Sequence, residues 1–458
     1  MSAADFDPVA LYRDWSKTSG RLHEEARGFL PGGDTRASAH FAPYPLAIEF
    51  AEGCRMWDVD GHELIDFMNN FTSLIHGHGQ PDVVAAVQHQ IARGSAYAAP
   101  IQSQIDLAEL LCSRIPSLEL MRFCSSGSEA TLMALRCARA VTGRQRIMKM
   151  EGGYHGSYEA AEVSLLPLPG RCGEETAPIS LPIDDSIPES TLHDVIACPF
   201  NEPDLAASLI KEHAPELAAV IVEPILGSMG MIPARRDFLK SLREATERTG
   251  VILIFDEVIS LRLGDGGAQS THDIVPDLTA LGKIIGGGLP IGAIGGRRDL
   301  MARFDPESPR PIFHASTFSG NPISMAAGLA SMKALDSRTR TRLDELGEAL
   351  RRRFNRTFQE MGIRGQALGE GSLTNLHLTS ERIENARQSV AAMLAAGPLA
   401  NALHLGMLRH GITSASRLMY CTSSAMGERE IELASEALAA TLGELKPWIE
   451  KTRPALLA

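Results

Sequence analysis

Short apolar runs alternate with longer stretches of helical period through the middle of this chain, and that alternation admits few folds. Strand, helix and strand in succession close most readily as βα crossovers on a mostly parallel sheet with helices on its faces. The runs at 120–124, 218–222, 251–255 and 278–281 read as strands. Residues 129–141 and 237–248 read as helices, the second with Phe238, Leu239, Leu242 and Ala245 on one face. The expected fold class is α/β: a large domain with a mostly parallel sheet between helices, plus a smaller α+β domain.

A chain of 458 residues is too long for one ordinary core. The pattern changes near Met332, where a charged helix over 338–358 leads into short strand-like pieces and helices. We therefore expect an N-terminal segment, 1–85, contributing to the small domain, a large domain over 86–330, and a C-terminal small domain over 331–458. Residues 161–198 are rich in Pro, Gly, Ser and acids with little periodicity, which predicts a long loop, of the kind that often serves enzymes as a lid, over 165–188. The net charge of −12, with basic residues in pairs rather than stripes, offers no footprint for nucleic acid or an anionic membrane. Seven cysteines without a CxxC pair suit a reducing cytoplasm, and they suggest no metal site. The acidic start MSAADFDPVALYRDW lacks a secretory pattern, and the apolar stretch 389–408 is broken by Gly397-Pro398.

Three segments carry chemistry. In FCSSGSEATLMALRCAR a strand runs into small residues and a helix opening at Gly127, Ser128 and Glu129. Free amides at a positive helix end cradle a phosphate, although Ser126 or Ser128 as a plain helix cap explains the same residues. In VILIFDEV a nearly uncharged strand ends in Asp256 and Glu257. A carboxylate there sits where open α/β sheets bind ligands, or else caps a helix or lies solvated in a loop. In LTALGKIIGGGLPIGAIGG, Lys283 stands between an apolar strand and a glycine-rich turn. A shielded lysine with a lowered pKa forms imines well, while a snorkelling lysine is the plainer alternative. Together they supply an anchor, a partner for a pyridinium nitrogen and a Schiff-base amine, the three requirements of a pyridoxal phosphate (PLP) site.

With those residues in view, the chain resembles the class III aminotransferases of PLP fold type I, in the branch of glutamate-1-semialdehyde aminomutase and β-amino-acid aminotransferases. The resemblance runs from WDVDGHELIDF through GHGQP, SSGSEA, GGYHG, VEP, FDEV, LGKIIGGGLPIGAIGG and STFSGNP to about Ala330. It implies that Lys283 carries the cofactor as a Schiff base and moves a proton between the substrate's α carbon and the cofactor's C4′. Asp256 would keep the ring nitrogen protonated, with Glu223 near the phenolic side. Ser126, Gly127 and Ser128 would hold the phosphate, and Tyr154, next to His155, and Val258 would cover the two ring faces. Thr317 would reach the phosphate of a neighbouring subunit, which implies a homodimer with interface active sites. Arg36 matches the place that holds a carboxylate in β-amino-acid aminotransferases, and Arg417 resembles the arginine for the α-carboxylate of the keto acid.

The resemblance has departures. The carboxyl-terminal stretch is shorter than in the aminomutases and offers Arg417 where they carry a glutamate, and EVISLRL replaces the aminomutase-like EVMTGFR. These favour a two-substrate, ping-pong amino transfer from a β-amino acid or related amine to a keto acid such as 2-oxoglutarate or pyruvate. The competing expectations are an aminomutase-like intramolecular transfer, a racemase or lyase reaction on the same scaffold, and a PLP binder without catalysis.

Overall fold

The computed structural model describes residues 6–457; residues 1–5 of the acidic start, and Ala458, lie outside the described residues. The chain divides into two units, one of Pro81–Arg340 with Ile383–Ala391, the other of Met1–Gln80, Thr341–Arg382 and Ala392–Ala458. The helices Pro81–Ile91 and Pro322–Ala334 run across positions 85 and 330 and pack on each other, so residues 81–85 and 331–340 belong to the first unit.

The first unit is built on a seven-stranded sheet. Its strands are β1 (Leu120–Cys124), β2 (Arg146–Met150), β3 (Val195–Cys198), β4 (Leu217–Val222), β5 (Ile252–Asp256), β6 (Leu278–Gly282) and β7 (Gly292–Gly296). Their order across the sheet is β1-β7-β6-β5-β4-β2-β3. Every pairing is parallel except those of β7, which runs antiparallel to both neighbours. Strands such as LAAVIV and ILIFD are buried at every residue, which is why they read as continuous apolar runs rather than alternating ones. The helix Gly127–Thr142 buries Ala130, Met133, Ala134, Cys137 and Ala138, and Met133 to Ala138 join a core with Ile147, Ile221, Ile254 and Ile294. It closes on Gly143, and Arg236–Thr249 closes on Gly250, both glycines being left-handed.

Residues 161–198 are not all loop. The segment contains a small hairpin of Gly173–Glu174 with Ala177–Pro178, a helix at Glu189–Asp194, and β3. VIAC pairs with β2 and is fully buried, and a four-residue apolar run was too short to stand out beside so many prolines.

The second unit holds two small sheets. Ile48–Glu52, Arg55–Asp58 and Glu63–Asp66 form an antiparallel set extended by Ile412–Thr413, and Gln366–Leu368, Leu373–His377 and Met419–Cys421 form another. Leu350, Phe354 and Phe358 pack with Tyr420, Leu438 and Leu442 in its core. Among the described residues no single helix is long and apolar enough to cross a membrane; the apolar stretch near 389–408 is two helices broken at Gly397-Pro398.

Candidate active site

Strands β1, β2, β4, β5 and β6 run in one direction, so the segments that follow them meet at one edge of the sheet, where open α/β sheets bind ligands. Ser126–Ser128 follow β1, Tyr154 and His155 follow β2, Glu223 follows β4, Asp256 ends β5 and Lys283 follows β6. Val258 ties two of these together: a Cβ on Gly127 would stand 3.0 Å from one Val258 methyl, and one on Gly282 would stand 3.3 Å from the other.

Asp256 is buried and paired. Its Oδ2 lies 2.8 Å from His155 Nδ1, and its Oδ1 accepts the Val258 N–H at 3.1 Å. Burial pushes the His155 imidazole below its usual pKa, against the pull of the carboxylate. The neutral ring therefore donates from Nδ1 to Asp256, and the buried Nε2 has no hydrogen-bond partner among the described residues.

Glu223 is also buried. Its Oε1 accepts the Tyr154 N–H at 2.9 Å and its Oε2 the Gly227 N–H at 3.2 Å, so the carboxyl fixes the loop that carries Tyr154. Burial and the charge of Asp256 raise its pKa, while those two N–H groups and Lys283 oppose the rise. Lys283 is half-buried with φ of +49°, a left-handed conformation that a lysine seldom adopts. Such local strain persists where the surroundings over-determine it.

Ser126 caps the helix Gly127–Thr142, its side chain accepting the Glu129 N–H at 3.1 Å. Among the described hydrogen bonds none engages the amides of Gly127 and Ser128, which lie ahead of that cap at the positive helix end. Ser128 Oγ accepts the Ser157 N–H at 3.4 Å. Tyr154 is partly exposed, with its hydroxyl 3.2 Å from Ser157 Oγ.

Three expected residues are not on these strand-end segments. Thr317 is exposed and lines a cleft of about 910 Å³ with Gln104, Arg122 and His314; its loop meets the Ser126 turn through Ser316 Oγ, 3.4 Å from Ser125 Oγ. Arg36 and Arg417 are exposed residues of the other unit.

A model of the family Aminotransferase class-III matches residues 37–410. The chain belongs to the class-III aminotransferase family. It is 38% identical over 434 residues to the glutamate-1-semialdehyde 2,1-aminomutase of Methanothermobacter thermautotrophicus, covering 93% of this chain and 99% of that one. Among solved structures it is similar to an omega-transaminase from Sphaerobacter thermophilus, with 43% identity, a TM-score of 0.90, and coverage of 95% and 99%. It is also similar to a β-phenylalanine aminotransferase from Variovorax paradoxus, with 35% identity, a TM-score of 0.86, and coverage of 97% of each chain.

This class-III chain is a PLP-dependent enzyme of fold type I. The donor set at the strand ends fits that cofactor: two uncommitted amides for a phosphate, a histidine-backed carboxylate for a ring nitrogen and a primary amine. The amino-acid pattern missed Lys149, which is fully buried within β2 and donates to the Val163 carbonyl at 2.6 Å. Burial lowers its pKa to about 7, against the pull of Glu223 and Glu151. The signal was present as a lysine inside the apolar run RIMKM.

Proposed function

We propose that Lys283 holds PLP as a Schiff base and that this chain transfers amino groups through it. The convergence of Lys283, the His155–Asp256 pair and the open start of the helix Gly127–Thr142 at one sheet edge carries the proposal. When bound, PLP supplies an electron sink for the negative charge left as a substrate carbon loses its proton. Lys283 Nζ would be the amine that carries the cofactor and the base that moves the proton of the substrate's amino-bearing carbon. Asp256 keeps the ring nitrogen protonated, and His155 holds the Asp256 carboxylate in place. Gly127 and Ser128 bind the phosphate beside the Ser126 cap. Tyr154 and Val258 enclose the ring, and Glu223 stands at its phenolic side while bracing the Tyr154 backbone.

The course of the transfer has two readings. Intramolecular transfer of the aminomutase kind comes first, because the M. thermautotrophicus aminomutase matches over nearly its whole length. That match to an aminomutase, 38% identical over 434 residues, reverses the order that the local departures at 257–263 and near Arg417 set on sequence alone. The second reading is ping-pong transfer from a β-amino acid or related amine, held by Arg36, to a keto acid held by Arg417. It is favoured by the likeness to the S. thermophilus omega-transaminase and the V. paradoxus β-phenylalanine aminotransferase, and by an Arg36 that has no ion pair among the described residues.

The functional unit in this proposal is a homodimer in which Thr317 reaches the second subunit's phosphate. Phe313 at 78% and Phe318 at 61% exposure flank Thr317 on a surface suited to a second copy. A cytoplasmic setting completes it, supported by seven cysteines of which none is in a disulfide.

Absorption spectra of the PLP-loaded protein test both courses. Glutamate-1-semialdehyde turned over without a keto acid establishes the first course. A β-amino acid that bleaches the Schiff-base band, with recovery on adding 2-oxoglutarate or pyruvate, establishes the second. Loss of neither band nor substrate in any mixture would refute amino transfer.

A further inference from the structure

Residues Asn69–Thr72 form one left-handed helical turn, with φ of +47°, +46°, +54° and +73° in succession. Asparagine tolerates that conformation, but Phe71 and the β-branched Thr72 are strained in it. Buried neighbours hold the turn in place. Asp66 Oδ1 accepts the N–H groups of Met68 and Asn69, each at 2.9 Å, and the Thr413 hydroxyl at 3.2 Å. Asp66 Oδ2 lies 2.8 Å from His78 Nε2, and Asn69 Nδ2 donates to the Cys421 carbonyl at 2.9 Å.

The strained turn presents two side chains to Arg36. Asn70 Nδ2 donates to Ser73 Oγ at 3.1 Å, which fixes the orientation of the amide and aims Oδ1 at Arg36 Nη1, 3.0 Å away. The Phe71 ring centroid lies 5.7 Å from the guanidinium carbon. Among the described residues no carboxylate pairs with Arg36, so a cation is held in place by neutral partners alone.

The contact with Asn70 uses Nη1 and leaves the Nε and Nη2 edge without a described hydrogen bond. Three other arginines of this chain use that edge for a two-point grip on a carboxylate. Arg387 holds Glu151 through it at 2.7 and 2.9 Å, Arg235 holds Asp237 at 3.0 and 2.9 Å, and Arg297 holds Asp299 at 3.1 and 2.7 Å.

We propose that the 69–72 turn is a positioning device in which Asn70 and Phe71 fix the Arg36 guanidinium, so that its Nε/Nη2 edge receives a substrate carboxylate. Asn70 is then a specificity-determining residue for carboxylate-bearing amino donors over simple amines. The inference rests on the reading that Arg36 binds the substrate carboxylate, and adds what makes that arginine selective. A neutral amide on Nη1 leaves the positive charge uncompensated for the ligand, whereas an acidic side chain in its place would offset much of it.

Calorimetric titration of the PLP-loaded enzyme with unreactive acids tests this without turnover. The probes are 3-phenylpropanoate and pentanoate, each compared with its amide. The wild type is expected to bind one or both acids roughly tenfold or more tighter than the amides, the range for a charge-assisted pair. Asn70→Asp places a carboxylate on Nη1 and should bring the ratio close to one. Asn70→Gly keeps the left-handed backbone while removing the amide, and should lower the ratio several-fold. Affinity for the amides stays unchanged in both. If both variants keep the wild-type ratio while Arg36→Met loses it, the positioning role is wrong and the Arg36 reading stands. If acid and amide weaken together in the Asn70 variants, the residue is merely structural and the inference fails. If Arg36→Met keeps the preference, or the wild type has none, the Arg36 reading itself falls.

Discussion

His404 gives a stability prediction that can be worked from the structure. The ring is 1% exposed, packs edge-on against Phe41 with centroids 4.5 Å apart, and has a buried Nε2 with no hydrogen-bond partner among the described residues. Burial alone lowers its pKa from 6.5 to about 4. The folded state therefore refuses a proton that the unfolded chain accepts. Stability is fully present above pH 6.5 and is lost as pH falls toward about 4. A shift of this size is worth roughly 3 kcal/mol in total, of which about 2 kcal/mol is already lost at about pH 5. His404→Leu removes the titrating group. The stability difference between wild type and variant should change by about 2 kcal/mol between about pH 7.5 and about pH 5, while any offset common to both conditions cancels. Urea unfolding read by tryptophan fluorescence suits the measurement, because Trp15, Trp57 and Trp448 all lie in the same unit as His404. A difference that stays constant within about 0.5 kcal/mol across that range would refute the buried-imidazole argument.

Other substitutions probe the proposed cofactor site. His155→Phe leaves Asp256 buried without its imidazole donor, and PLP affinity should fall roughly 10- to 100-fold, as read by fluorescence titration. Glu223→Gln turns one acceptor into a donor facing the N–H of Tyr154 or Gly227, so cofactor affinity should drop at least about fivefold. Gly292→Ala drives a methyl into the Ser126 carbonyl behind the phosphate-side turn, and should lower the thermal midpoint by several degrees, measured by calorimetry.

Much of the first unit was legible because its strands announce themselves. LAAVIV and ILIFD are buried on both faces and carry no polar residue until the chemistry begins, so both the strand and the residue after it stand out. The candidate residues Asp256, Glu223 and Lys283 stood out for the same reason, each interrupting or following an apolar run. Strand β7 was not. GAIGG has three glycines and reads as a turn, yet it lies flush against the Ser126 carbonyl, where a side chain at Gly292 would not fit. Strand β2 was hidden by Lys149, whose charge breaks an otherwise apolar run and is accommodated by the Val163 carbonyl. The pairing of His155 with Asp256 joins residues 101 positions apart, and sequence offered no means of matching them. The left-handed turn at 69–72 depends on buried partners as distant as Thr413 and Cys421, so NNFT alone gave no sign of it.

The central claim is that Lys283 is the amine that holds the cofactor, and chemical trapping tests it most directly. The PLP-loaded protein is reduced with borohydride, digested, and its peptides are weighed. The phosphopyridoxyl mass should appear on the peptide containing Lys283 and disappear in Lys283→Ala. Label on another lysine, with buried Lys149 the first to inspect, or no label at all, would contradict the account.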